Sequence, residues 1–99
     1  MITTRALGNI PASWTRINSN TTTTITARQL RHIMILTKSS SGGTLTIYDS
    51  ATASGTVLGV IDLTAPAQNY VFGIGLTSGS VTLVSAAGTA FDLGVATTT

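Results

Sequence analysis

Short stretches in which apolar and polar residues alternate recur along most of this 99-residue chain. In Thr44-Leu45-Thr46-Ile47-Tyr48, Leu45 and Ile47 fall on one face of an extended strand, and both threonines fall on the other. Clusters rich in Ser, Thr, Ala and Gly separate these stretches and are typical of turns. Short strands at this spacing predict an antiparallel sandwich or a small barrel.

The alternation predicts seven strands, at residues 22–27, 32–38, 44–48, 56–63, 69–74, 80–85 and 91–95. Six residues on the apolar faces of these strands are expected to form the core: Leu45, Ile47, Val81, Leu83, Phe91 and Leu93. The composition supports this interpretation, because 20 of the residues are threonines, which suit a pleated and half-buried surface. A chain of this length is expected to form one domain with one modest core.

One segment has two interpretations. Residues 26–34 contain good helix formers, and Leu30, Ile33 and Met34 have helical spacing. The apolar run continues to Leu36, however, and ends at Lys38 and a Ser/Gly turn. A run this short favours a buried strand over a helix.

The N-terminal part of the chain differs from the rest. Gly8 and Pro11 interrupt any long apolar period, so residues 1–21 are predicted to be an extended arm and residues 22–99 the sandwich. The single tryptophan, Trp14, lies in this arm. It either covers one end of the domain's own core or inserts into a neighbouring subunit, since Trp is enriched at interface centres.

Ionisable side chains are few and are sorted along the chain. All five basic residues lie within the first 38 positions, all three aspartates follow them, and glutamate and cysteine are absent. Because proton-transfer groups and nucleophiles are so scarce, we expect no enzymatic activity, no catalytic residues and no cofactor. The sorted charges favour docking on an acidic protein surface, or on the chain's own acidic half, over specific binding of nucleic acid.

Three features of the sequence bear on ligand chemistry. The cluster from Gly73 to Gly79 lacks the lysine and the spacing of a phosphate-binding loop, so it predicts a bulge or a tight turn. Asp49 would need several further oxygen ligands to hold Ca²⁺, so capping of a local turn is favoured and no metal site is predicted. His32 stands alone and is expected at a strand edge, bonded to backbone or water.

The remaining candidates are residues for binding a partner. They combine cations of the basic half with the possible anchor Trp14 and with Tyr48, the aromatic residue best placed for exposure: Arg5, Trp14, Arg16, Arg28, Arg31 and Tyr48. Tyr48 is included because it lies on the threonine face of its strand.

The order of these elements resembles that of a group of small β-sandwich virion proteins of tailed bacteriophages, which includes capsid decoration or cement proteins. The motifs that carry the resemblance are Arg31-His32-Ile33-Met34-Ile35-Leu36, Thr44-Leu45-Thr46-Ile47-Tyr48-Asp49-Ser50, Ser54-Gly55-Thr56-Val57-Leu58-Gly59, Gly73-Ile74-Gly75-Leu76-Thr77-Ser78-Gly79 and Ala90-Phe91-Asp92-Leu93-Gly94-Val95. The resemblance implies a single antiparallel β-sandwich of jelly-roll type. It also implies a non-enzymatic structural protein that binds and stabilises the assembled phage head.

The expected partners are therefore the phage major capsid protein or other virion proteins, with the chain present in many copies or as a homo-oligomer. No run of about 18 apolar residues indicates a membrane span, and no basic region followed by an apolar run indicates export. The expected location is the virion, after synthesis in the host cytoplasm. Two alternatives stay open: a neck, tail or fibre component, and a carbohydrate-binding module with Trp14, Tyr48 or Tyr70 grouped on an exposed face.

Overall fold

The computed structural model describes residues 13–99, which form eight β-strands and no helix. The strands are β1 (Ser13–Ile17), β2 (Thr21–Thr26), β3 (Gln29–Thr37), β4 (Gly43–Asp49), β5 (Thr56–Asp62), β6 (Asn69–Gly75), β7 (Ser80–Ala87) and β8 (Asp92–Thr98). Seven of them correspond to the predicted strands, with bounds that differ by a few residues.

The strands form two four-stranded antiparallel sheets. The first sheet has the strand order β1-β8-β3-β6, and the second has the order β2-β7-β4-β5. Within residues 13–99, β4 and β5 are the only consecutive strands that pair with each other, so the chain crosses repeatedly from one sheet to the other. The apolar faces of both sheets meet in a single core. The predicted all-β antiparallel sandwich is confirmed.

The core contains all six residues that the alternation predicts. Each of them is at most 4 % exposed: Leu45, Ile47, Val81, Leu83, Phe91 and Leu93. They come from both sheets, so the two inner faces interdigitate as expected for a sandwich.

The segment with two interpretations is the strand β3, and the helical alternative is wrong. Against β8, Arg31 is an extra residue that interrupts the register. The register of β3 with β6 shifts at the same place, near Gly73, whose φ of 61° suits glycine. The bulge delays the alternation by one position, so Leu30 and Ile33 both point into the core. This three-residue spacing is what resembled a helix, and the predicted bulge in the glycine cluster is present.

The sandwich begins earlier than predicted. Ser13–Ile17, which we placed in the extended arm, forms β1 and pairs with β8 along its whole length. Ile17 is only 3 % exposed and belongs to the core, whereas Trp14 faces outward. The division of the chain at residue 21 is therefore corrected for this strand. The other part of the predicted arm, residues 1–12, lies outside the described residues and includes Arg5.

Candidate protein-interaction surface

The structure brings together three of the predicted partner-binding residues on the outer face of the first sheet, which points away from the second sheet. Trp14 and Arg16 lie on β1. Arg31 lies at the bulge of β3, where its Nη1 donates a hydrogen bond of 3.4 Å to Thr98 Oγ1. Trp14 therefore shares one face with two cations, and that face belongs to the sandwich itself.

The other predicted residues lie elsewhere. Arg28 lies in the turn between β2 and β3, where its backbone bonds to Thr98 and Leu76. Tyr48 lies on β4 and is half-buried on the outer face of the second sheet. Tyr70 packs against the core. A carbohydrate platform would need its aromatic rings grouped on one exposed face. Trp14, Tyr48 and Tyr70 are not grouped in this way.

Strand pairing aligns four outward-facing residues in one row across the first sheet. Trp14 of β1 is opposite Ala96 of β8, Ala96 is opposite His32 of β3, and His32 is opposite Val71 of β6. Members of such rows are close neighbours on the sheet surface. The row therefore joins segments that are far apart in the sequence.

Trp14 lies across the middle of this row. Its ring centroid is 4.9 Å from that of His32, with an angle of 35° between the ring planes. The small residues of β8 leave room for the indole, since a Cβ added at Gly94 would lie 3.2 Å from it. Ala96 is fully buried. Trp14 is thus not part of the core, and His32 has an aromatic neighbour that was not predicted from the sequence.

Three large apolar side chains are exposed on this face of the first sheet. Trp14 is 51 % exposed, Leu36 is 54 % exposed and Val71 is 77 % exposed. Antiparallel sheets with one face in water normally place polar residues there. We call the apolar part of this face the outer patch; it consists of Trp14, His32, Met34, Leu36 and Val71.

An open groove of about 390 Å³ extends the outer patch at one end. Met34 and Leu36 line one side of it, and Gln68 and Asn69 line the other. Apolar surface with a polar margin is typical of protein–protein contacts. A buried strand was predicted here, but only alternate residues of the apolar run, such as Ile33 and Ile35, reach the core.

The rim of the outer patch carries one ion pair. Arg16 donates two hydrogen bonds of 2.9 Å, from Nε and Nη2, to the two carboxylate oxygens of Asp92. These hydrogen bonds from Arg16 hold the pKa of Asp92 below its ordinary value. A basic residue of the N-terminal half thus meets an acid of the C-terminal half, which is one of the two dockings that the sorted charges suggested.

Asp49, the last residue of β4, ties the end of that strand to the loop between β6 and β7. One carboxylate oxygen accepts hydrogen bonds from the backbone N–H and the hydroxyl of Thr77, at 3.1 and 2.8 Å. The other accepts the corresponding pair from Ser78, at 3.1 and 2.7 Å. These bonds, with the Ser78 hydroxyl contributing most, lower the pKa of Asp49 to about 2. Asp49 does bond backbone N–H groups, but in a distant loop rather than in its own turn.

Within residues 13–99, no three His, Cys, Asp or Glu side chains lie close enough to hold a metal ion together. The same residues contain no helix that would be long and apolar enough to cross a membrane. Comparison with protein-family models gave no match to the chain, and comparison with curated proteins gave none either.

Proposed function

We propose that this protein is a non-enzymatic structural component of a phage particle, a capsid decoration protein that binds and stabilises the assembled head. The single observation that carries the proposal is the outer patch, an apolar surface on a folded sandwich that would be better placed against another protein. The resemblance of the turn and strand motifs to small virion proteins supports the particle as the setting.

The strand order supports the jelly-roll type within this proposal. The orders β1-β8-β3-β6 and β2-β7-β4-β5 alternate early and late strands in both sheets. This alternation is what two Greek keys folded onto each other produce. The proposed jelly roll supplies a rigid body on which the outer patch is held flat.

The mechanism is mass action during assembly. A subunit that binds the assembled shell but not its separate parts stabilises the shell by its binding free energy. Each bound copy adds a modest amount to the stability of the shell, and the contributions of many copies sum. The second sheet suits dense packing, because its outer face presents uncharged residues such as Thr22, Thr24 and Thr46, and neighbouring copies would not repel each other there.

Two measurements test the proposal. Quantitative mass spectrometry of virions from a phage that encodes this chain should find a copy number comparable to that of the major capsid protein. A few copies per particle would instead favour the neck, tail or fibre alternative. Absence from purified virions would contradict the proposal altogether.

Attachment to the particle should depend on the outer patch. Trp14→Ala should weaken co-sedimentation with heads, since a buried Trp at an interface contributes about 2–4 kcal/mol. Val60→Ala removes an exposed apolar side chain from the second sheet and is the matched control. Equal attachment of the two folded variants would show that the outer patch is not involved.

A further inference from the structure

We propose that the outer patch docks on an apolar surface of the shell that is bordered by carboxylates, so that the first sheet faces the shell and the second sheet faces away from it. The inference deepens the proposed function and rests on it for its setting, the assembled particle. It adds the chemistry of the surface that is bound and the orientation in which each copy binds.

The charges of the sandwich are divided between its two sheets. Every Lys and Arg within residues 13–99 lies on β1 or β3, or directly beside β3: Arg16, Arg28, Arg31 and Lys38. Among the three aspartates, Asp92 lies on β8 of the first sheet, whereas Asp49 and Asp62 are the last residues of β4 and β5 in the second. Four cations and one acid give the first sheet a formal charge of +3 with His32 neutral, and two acids give the second sheet −2.

These charges are not balanced within one copy of the chain. The ion pair found within residues 13–99 joins Arg16 to Asp92, and the other three cations of that range form none with any of its residues. Asp49 and Asp62 instead accept hydrogen bonds from hydroxyl and backbone groups. Of the two dockings that the sorted charges suggested, an acidic surface of another protein is therefore the one that suits the remaining cations.

These remaining cations border the outer patch at both ends of β3. At one end, the backbone N–H of Arg28 donates to the carbonyl oxygen of Thr98, and Arg31 donates to the Thr98 hydroxyl. At the other end, Lys38 is exposed directly after the strand. An apolar centre within a polar rim is the usual arrangement of a protein–protein contact. Charges at such a rim favour a partner whose charges have the opposite sign.

The apolar centre favours a protein over nucleic acid as the acidic partner. Contacts with nucleic acid depend mainly on cations that meet phosphates. Between the cations of this face, however, lie the exposed apolar side chains of Trp14, Leu36 and Val71. Burial of these side chains against another protein would remove apolar area from water. The acids of the second sheet would be repelled by an acidic surface, which sets the orientation of the bound copy.

The test compares opposite charges at one exposed position on each sheet. Gln29 lies on β3 between Arg28 and Arg31, opposite Thr98, and Thr22 lies on β2 of the second sheet. With few copies bound per head, Gln29→Lys should strengthen co-sedimentation with heads assembled without this protein by about two- to fivefold, and Gln29→Glu should weaken it similarly. Thr22→Lys and Thr22→Glu change the net charge identically and should leave attachment unchanged.

Reversal of a rim charge should have a larger effect. Arg31→Glu should weaken attachment at least about tenfold, because like charges would then face each other across the contact. Melting temperatures show whether the variants are folded. If Arg31→Glu lowers the melting temperature, Arg28→Glu tests the same rim from an exposed turn.

Three outcomes with heads would overturn the inference. Equal shifts for Lys and Glu at Gln29 would show that the sign of the charge does not matter, and equal shifts at Gln29 and Thr22 would report net charge alone. Stronger attachment of Gln29→Glu than of Gln29→Lys would assign the patch to a basic surface. Displacement of the chain from heads by duplex DNA would assign the cations to nucleic acid.

Chromatography of the isolated chain distinguishes failure of this inference from failure of the proposed function. A phenyl matrix that carries carboxylates should retain the chain longer at pH 7 than one that carries amines, and Gln29→Glu should shorten the retention more than Thr22→Glu. Equal retention of these two variants would overturn the inference. The expected retention in a chain that is absent from virions would overturn the proposed function alone. Abundance on virions, with attachment insensitive to the sign of the charge at Gln29, would overturn this inference alone.

Discussion

At the scale of single residues, Asp49 has the most distinctive environment. Its carboxylate accepts four hydrogen bonds from Thr77 and Ser78, which are 28 and 29 positions further along the chain. These bonds favour the ionised form, which is why its pKa falls from the ordinary 3.8 to about 2. A group whose pKa is lowered in the folded state stabilises that state above its unfolded pKa and loses the effect as pH falls.

This environment predicts an acid-dependent effect of Asp49→Asn. The substitution should lower the melting temperature at pH 7, and the difference from the unsubstituted protein should shrink as the pH falls from about 4 to about 2. Asp62→Asn is the control, because Asp62 bonds only Thr64 within its own turn and should have a smaller effect. Thermal melts followed by circular dichroism measure both. A difference as large at pH 2 as at pH 7 would contradict a role for the Asp49 charge.

At the scale of elements, the loop after β7 and the loop before β4 pack closely against each other at the other end of the sandwich. The backbone N–H of Gly88, after β7, donates to the carbonyl oxygens of Ser41 and Gly42, which precede β4. A Cβ at Gly88 would collide with the Ser41 carbonyl oxygen. The buried Ser39 hydroxyl adds hydrogen bonds to the same two carbonyl groups. The loops therefore act as one unit that ties β3 and β4 to β7.

Gly88→Ala should separate these loops and destabilise the fold by about 1–3 kcal/mol, the usual effect of inserting a methyl group where no space exists. Gly75→Ala is the matched control, because Gly75 has open space around its Cα and an ordinary φ. That change should be neutral or slightly stabilising, because it restricts the unfolded chain. Urea denaturation measures both variants. Equal stability of the two would show that the loops can move apart freely.

At the scale of the whole molecule, local alternation was sufficient to predict seven strands and the tested core residues. It failed for β1, whose inward residues are Thr15 and Ile17 and whose outward residues include Trp14. Because Thr15 points inward and Trp14 points outward, β1 lacks the usual alternation of apolar inward and polar outward residues. Its pairing with β8 identifies it as a strand. The outer patch was also predictable only in part, because strand pairing over long distances in the sequence brings its residues together. Val71 joins it through long-range register, which single-sequence alternation does not encode.

The core as a whole can be tested with one pair of leucines. Leu83 is fully buried on β7, between the sheets, whereas Leu36 on β3 is 54 % exposed in the outer patch. Leu83→Ala should lower the free energy of unfolding by about 2–5 kcal/mol, because it removes buried methyl groups and leaves a cavity. Leu36→Ala removes the same atoms from the surface and should change it by less than about 0.5 kcal/mol when measured on dilute monomer. Denaturant melts of both variants decide the matter. A loss below about 1 kcal/mol for Leu83→Ala would remove Leu83 from the core and would undermine the packing of the two sheets.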